Sequence, residues 1–193
     1  MASIALFHSV LGVRPGVLDA AARLRAAGHE VLVVDQYGGR VFDDYDEAGA
    51  HVDRIGFPAL MAAAVDAVAY LPDGFVVAGF SNGAGMAEYV ATRRPCRGAL
   101  LVAGALPLAV LGADAWPAGV PVQVHHTEDD PRHAPGWLDA FVADVRRADG
   151  AVEVFGHPGS GHLFTDPSRP QEYDEQATEL FWQRALVFLG RVG

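Results

Sequence analysis

Six short apolar runs follow one another along the chain, and most of them are separated by a segment with helical character. The runs cover residues 3–8, 30–35, 75–80, 98–103, 121–126 and 151–155. Most are continuously apolar, which is typical of strands buried on both faces of a parallel sheet. The helical segments are predicted at residues 15–27, 58–70, 81–94, 135–149 and 171–189. This alternation predicts an α/β fold with an open parallel sheet of about six strands and helices on both faces.

Two connections bear on the shape of the predicted fold. Residues 36–57 are irregular and acidic, so we expect a long loop at the ligand-facing edge of the sheet. Only about 17 residues separate the fourth and fifth predicted strands, which is less than a cap domain needs. The pocket is therefore expected to be shallow and open. Residues 1–193 are interpreted as one domain.

The composition narrows the range of partners and compartments. Acidic residues outnumber basic ones by 24 to 14, which gives a net charge of −10 and argues against a nucleic-acid partner. The sequence has neither a membrane-spanning apolar run nor a basic segment followed by a long apolar one. Cys96 is the only cysteine, so no intramolecular disulfide can form. We expect a cytoplasmic protein that contacts no membrane, with the monomer and the homodimer left as alternatives.

The strongest motif lies where the third predicted strand meets a helix. Gly79, Ser81 and Gly83 form the pattern Gly-x-Ser-x-Gly. On a sharp strand-to-helix turn, flanking glycines relieve crowding and leave the serine hydroxyl exposed at the end of the sheet. The backbone N–H of Asn82 would then face a developing oxyanion at the start of the helix. The motif predicts Ser81 as a nucleophile.

A serine nucleophile needs a general base, and the chain has eight histidines. His162 follows the sixth predicted strand within a run of small residues, which allows a loop to bring its imidazole to the same edge of the sheet as Ser81. His157 is the alternative base. The histidines His8, His125 and His126 end other strands and are interpreted as packing groups.

The acid that orients the histidine is expected after the fifth strand, because the chain order is then Ser, Asp, His. Glu128, Asp129 and Asp130 all lie there, and their spacing leaves Asp129 and Asp130 open. The neighbouring His125 and His126 raise the question of a metal, but no helical ligand spacing such as His-Glu-x-x-His is present. The first strand is not followed by a dinucleotide-binding glycine motif either. We therefore expect neither a metal nor a cofactor.

Five segments together resemble the dienelactone hydrolase family of α/β-hydrolases over nearly the whole chain. They are FHSVLG from Phe7, AAGHEVLVVD from Ala26, GFSNGAG from Gly79, HTEDDP from His126 and HPGSGHLF from His157. The resemblance implies a strand order of 2-1-3-4-5-6. It also implies that Asp130 is the acid, that His162 is the histidine, and that the N–H of Val10 is a second oxyanion donor.

The chain also departs from this family at its site. The namesake enzymes use a cysteine where this chain has Ser81, and a glutamate where it has Ser9. No clear match exists for the arginines that hold the carboxylate of dienelactone. The predicted function is hydrolysis of a small ester or lactone through a Ser-His-Asp triad and an acyl-enzyme. The alternatives are a non-catalytic ligand-binding protein on the same fold and a C–C or thioester hydrolase that uses the same triad.

The substrate pocket is expected to take its walls from the loops around Ser81. The main candidates for its lining are Ser9, Leu11, Tyr37, Phe80, Trp116 and Phe164. Two further aromatic residues, Phe7 and Trp137, are also considered.

Overall fold

A computed structural model describes residues 1–193. Six strands from along the chain form a single sheet. The strands are β1 (Ser3–Phe7), β2 (Glu30–Val34), β3 (Phe75–Phe80), β4 (Cys96–Val102), β5 (Val122–Thr127) and β6 (Val152–His157). They lie in the order β2-β1-β3-β4-β5-β6, and every neighbouring pair is parallel. The predicted open parallel sheet and its strand order are confirmed.

Helices cover both faces of the sheet. They are α1 (Pro15–Ala26), α2 (Tyr45–Ile55), α3 (Phe57–Ala67), α4 (Asn82–Ala91), α5 (Trp137–Arg147) and α6 (Glu175–Val192). Helices α1 and α6 pack on one face, while α3, α4 and α5 pack on the other. None of the six helices combines the length and apolar character that crossing a membrane would require.

The two faces of the sheet carry separate hydrophobic cores. Along β1, Ala5 and Phe7 enter the core beneath α3, α4 and α5, whereas Ile4 and Leu6 enter the core beneath α1 and α6. Successive strand residues point to opposite faces, so a strand covered on both sides must be apolar at nearly every position. This explains why the strands appear in the sequence as continuous apolar runs.

The expectation of an irregular loop over residues 36–57 is wrong in its second half, which forms α2. The side chain of Asp44 accepts hydrogen bonds from the N–H groups of Asp46 and Glu47 and so caps the first turn. Acidic residues occupy that turn and Arg54 the last one, as the helix dipole favours. The acidic run that resembles a solvated loop is therefore a helix N-terminus.

The strand order places a crevice between β1 and β3. The chain passes from β1 outwards to β2 and then returns to β3 on the other side of β1. The connections after β1 and β3 therefore diverge at the carboxyl edge of the sheet. Ligands of open α/β proteins bind at such a switch point.

Candidate active site

The turn between β3 and α4 holds Ser81 in a backbone conformation that favours glycine. Its φ is 53° and its ψ is −117°, which costs free energy in a residue with a side chain. A Cβ at Gly79 would collide with the backbone of Gly83, and one at Gly83 would collide with the carbonyl oxygens of Phe7 and His8. Both glycines of the motif are therefore required for α4 to start directly against β1.

His162 joins Ser81 to Asp130 through two short hydrogen bonds. The imidazole Nε2 lies 2.7 Å from Ser81 Oγ, and Nδ1 lies 2.7 Å from Asp130 Oδ2. Both His162 and Asp130 are buried. An imidazole between a hydroxyl and a carboxylate can accept the proton of the hydroxyl, because the carboxylate stabilises the resulting imidazolium.

Among the three consecutive acids after β5, Asp130 is the one that points inwards. Burial alone would raise the pKa of Asp130, but the hydrogen bond and charge of His162 and the N–H of Arg132 outweigh it, so the pKa is lowered. Glu128 and Asp129 are exposed, and the backbone N–H of Asp129 donates to the carbonyl of Gly159. The structure thus brings Asp130 to His162 and leaves Asp129 at the surface.

Hydrogen bonds to Glu172 stabilise the loop that carries His162. The carboxylate of Glu172 accepts hydrogen bonds from Leu163 N, Tyr45 Oη and Arg169 Nε at 2.6–2.8 Å. Burial alone would raise the pKa of Glu172, but these three donors lower it. A charged carboxylate therefore ties the residue after His162 to the start of α2.

Two backbone N–H groups predicted to hold an oxyanion belong to residues that line the same cavity as Ser81. Asn82 is the first residue of α4, so its N–H has no acceptor within the helix. Val10 lies in the connection after β1, which Gly83 brings close to the turn. Two residues from different strand ends, Val10 and Asn82, thus line the cavity that Ser81 also lines.

A cavity of about 460 Å³ opens onto Ser81 and His162. Its other lining residues are Val10, Tyr45, Phe57, Asn82, Ala103, Gly104, Ala105, Leu106, Val110, Arg132, His133, Ala134 and Trp137. Most of this lining is apolar, which suits a substrate with a hydrocarbon group. The guanidinium of Arg132 stacks on the ring of Tyr45, 3.5 Å from its centroid.

The main prediction for the pocket lining is wrong. Six residues proposed for it lie outside the lining of this cavity and are buried instead: Ser9, Leu11, Tyr37, Phe80, Trp116 and Phe164. Ser9 caps its own turn by accepting from Leu11 N at 3.2 Å, and Trp116 packs edge-on against Phe141. Apart from Ser9, the other five side chains point into the two hydrophobic cores. Of the further candidates considered, Trp137 lines the cavity and Phe7 is buried in the core.

Most of the cavity wall is formed by residues that the sequence did not predict as lining. Tyr45 and Phe57 belong to the segment 36–57, for which the sequence predicts a loop. Leu106 and Val110 follow β4 in a connection without periodicity. The one available signal was the position of these connections at the carboxyl edge of the sheet. It indicates which segments approach the site without indicating which side chains face it.

The alternative base His157 makes no hydrogen bond to Ser81, whose hydroxyl pairs with His162. Its Nε2 is 3.0 Å from Nδ1 of His125, whose Nε2 is 2.9 Å from Oε1 of Gln123. Both histidines are buried, and Nδ1 of His157 has no partner. Burial and nearby positive charges, Arg184 among them, lower the pKa of His125 to about 3 and that of His157 to about 4. These imidazoles are neutral groups of the core.

This histidine pair predicts a loss of stability in acid. Between pH 6.5 and about 4 the unfolded imidazoles bind protons and the folded ones do not, so acidification favours unfolding. Each histidine should contribute a slope of about 1.4 kcal/mol per pH unit to the free energy of unfolding. Urea titrations at several pH values between 7 and 4.5 give the free energy of unfolding at each pH. This free energy should change less steeply with pH in His157→Gln than in the unmodified protein. An equal pH dependence in the two proteins would contradict the assignment of His157 as a neutral group of the core. His133→Gln serves as the control, because His133 is exposed.

No three His, Cys, Asp or Glu side chains are grouped so that they could hold a metal ion. His125 is engaged with Gln123 and His157, and Asp130 with His162. The acids and histidines after β5 that raised the question of a metal therefore point in different directions.

Comparison with solved structures supports the fold. The dienelactone hydrolase-like promiscuous phosphotriesterase P91 from metagenomic libraries aligns with a TM-score of 0.81 at 22% identity, over 100% of this chain and 87% of its own. The protein m3DLH aligns with a TM-score of 0.78 at 22% identity, over 98% of this chain and 86% of its own. The α/β-hydrolase MGS-M1 from a Medee basin deep-sea metagenome aligns with a TM-score of 0.72 at 18% identity, over 99% of this chain and 84% of its own.

No curated protein sequence matches this chain. The family model of the dienelactone hydrolases, in contrast, matches residues 1–193. That match spans the strand-to-helix turn at Ser81 and the loops that carry Asp130 and His162. The chain therefore belongs to the dienelactone hydrolase family, and this membership supports hydrolase activity.

Proposed function

We propose that this protein is a serine hydrolase that cleaves a small ester or lactone through an acyl-enzyme. The observation that carries the proposal is the pair of 2.7 Å hydrogen bonds that join His162 to Ser81 Oγ and to Asp130 Oδ2. Hydroxyl, imidazole and carboxylate in this order form the arrangement that activates a serine nucleophile.

In the proposed reaction, Ser81 Oγ attacks the carbonyl carbon while its proton passes to His162 Nε2. The oxyanion of the tetrahedral intermediate is held by the N–H groups of Asn82 and Val10. His162 then returns the proton to the leaving alkoxide, and the C–O bond of the ester breaks. A water molecule attacks the acyl-enzyme with His162 again as the base, which releases the acid and restores Ser81. Asp130 keeps the His162 Nδ1–H in place throughout.

The cavity supports a small substrate. Its volume of about 460 Å³ suits a short acyl or aromatic group, and its walls are mainly apolar. Residues 103–121, between β4 and β5, form turns and no helical cap, which leaves the cavity open to solvent. The same features also fit a thioester, so an experiment has to decide whether the leaving group is an alcohol or a thiol.

A fluorophosphonate probe tests the proposal directly, because it forms a covalent bond only with an activated serine. We expect one label per molecule on the unmodified protein and none on Ser81→Ala, as measured by intact-protein mass spectrometry. In parallel, p-nitrophenyl acetate and its thioester analogue are assayed for release of product.

The outcomes separate the proposed function from its alternatives. Labelling at Ser81 together with ester turnover supports it. Turnover of the thioester alone would replace the ester by a thioester as substrate, and labelling without turnover of either would favour C–C bond hydrolysis. Absence of both labelling and turnover would favour a binding protein and end the proposal.

A further inference from the structure

Glu88 is a buried carboxyl group that the proposed chemistry does not use. It lies on α4, the helix that starts directly after Ser81, and its side chain is 0% exposed. None of the ion pairs of the protein includes it. Burial raises the pKa of Glu88 well above its usual range, and one hydrogen bond offsets this only in part. Acidic side chains are rarely buried without a partner, so this position requires a structural reason.

The only hydrogen-bond partner of this carboxyl is Leu106. The backbone N–H of Leu106 lies 3.1 Å from both Glu88 Oε1 and Oε2. Gly85 contacts the same residue one turn earlier on the helix, where a Cβ would lie 3.1 Å from Leu106 Cδ1. Residues three apart share a helix face. Helix α4 therefore contacts both the backbone and the side chain of Leu106.

Leu106 ends a four-residue wall, residues 103–106, all of which line the cavity at Ser81. The wall starts at Ala103, whose φ is +57°, a conformation that non-glycine residues adopt at a cost. Its second residue, Gly104, lies so close to Ser81 that a Cβ would be 3.3 Å from the serine carbonyl oxygen. A strained turn keeps its conformation only where its surroundings hold it in place.

We propose that Glu88 is a positioning residue that holds the wall of residues 103–106 against the nucleophile's own helix and thereby sets which acyl groups the cavity accepts. Glu88 acts through Leu106 N–H and does not touch the substrate. An apolar side chain of similar size would remove the acceptor of that N–H, which weakens the attachment of the wall. The effect on acyl selectivity rests on the proposed function, whereas the attachment of the wall does not.

The test compares Glu88→Gln with Glu88→Leu, which are close in size but differ in their ability to accept a hydrogen bond. Amide hydrogen exchange of Leu106 measures the attachment of the wall. The ratio of kcat/KM for p-nitrophenyl butyrate and acetate measures acyl selectivity. We expect Glu88→Gln to match the unmodified protein in both within about twofold, and Glu88→Leu to speed Leu106 exchange by roughly tenfold or more. The selectivity ratio should shift in Glu88→Leu alone.

Val90→Ala is the matched control. Val90 is also buried on α4 but lies two residues further on, at roughly 200° around the helix. The Val90→Ala variant should have a lower thermal midpoint than the unmodified protein but the same selectivity ratio. The proposal is overturned if Leu106 exchange is unchanged in Glu88→Leu, if the Gln and Leu variants behave alike, or if Val90→Ala shifts the selectivity equally. Failure of the proposed function would show as an unlabelled unmodified protein, and the exchange result would still decide the role of Glu88 in the wall.

Discussion

Replacing Ser81 by alanine is expected to lower kcat for p-nitrophenyl acetate by roughly 10⁵- to 10⁶-fold. The variant loses the only hydroxyl that lies 2.7 Å from His162 Nε2, so no group remains to form the acyl-enzyme. The change from serine to alanine removes one atom and needs no new space. The thermal midpoint should therefore stay within a few degrees of that of the unmodified protein.

The same prediction extends to His162→Ala, because nucleophile and base act as one unit. Each single variant should lose about as much activity as the double variant, which steady-state kinetics with concentrated enzyme can measure. A Ser81→Ala variant that keeps more than a few per cent of kcat would contradict the proposed mechanism. Losses that multiply in the double variant would show that Ser81 and His162 act independently.

Asp130→Asn is expected to lower kcat by about 10⁴-fold. The asparagine has nearly the same shape, but its amide can donate a hydrogen bond to His162 Nδ1. The imidazole then carries its proton on Nε2, where it can no longer accept the proton of Ser81. Since the pKa of Asp130 is lowered from its ordinary value of 3.8, the carboxylate is ionised at neutral pH and normally prevents this tautomer.

Asp129→Asn is the matched control for this prediction. Asp129 precedes Asp130 directly, but its side chain is exposed and makes no hydrogen bond to His162. Its kcat should remain within about twofold of the unmodified enzyme, because isolated surface charges contribute little. A large loss in Asp129→Asn with little change in Asp130→Asn would reverse the assignment of the acid.

The strand and helix pattern was predictable because it rests on short-range physics. Strands buried on both faces must be apolar throughout, and the helices between them end near prolines or glycines, so the elements other than α2 were located to within a few residues. Family resemblance added the strand order. The helix α2 was missed because Asp44, Asp46 and Glu47 suit a solvated loop as well as a helix N-terminus, and only packing of Ala48 and His51 distinguishes the two.

The sequence by itself determined the fold and the segments that meet at the site: the turn at Ser81, the acids after β5 and the histidine after β6. Spacing along the chain left Asp129 and Asp130 open, and the family resemblance implied Asp130. The tertiary structure turns Asp130 inwards and Asp129 outwards, and it engages His157 with His125. It also decided the cavity wall, including Leu106 and its attachment to Glu88. The physical reason is that spacing along the chain specifies which edge of the sheet a residue reaches. Which way its side chain then points depends on packing between segments far apart in the sequence.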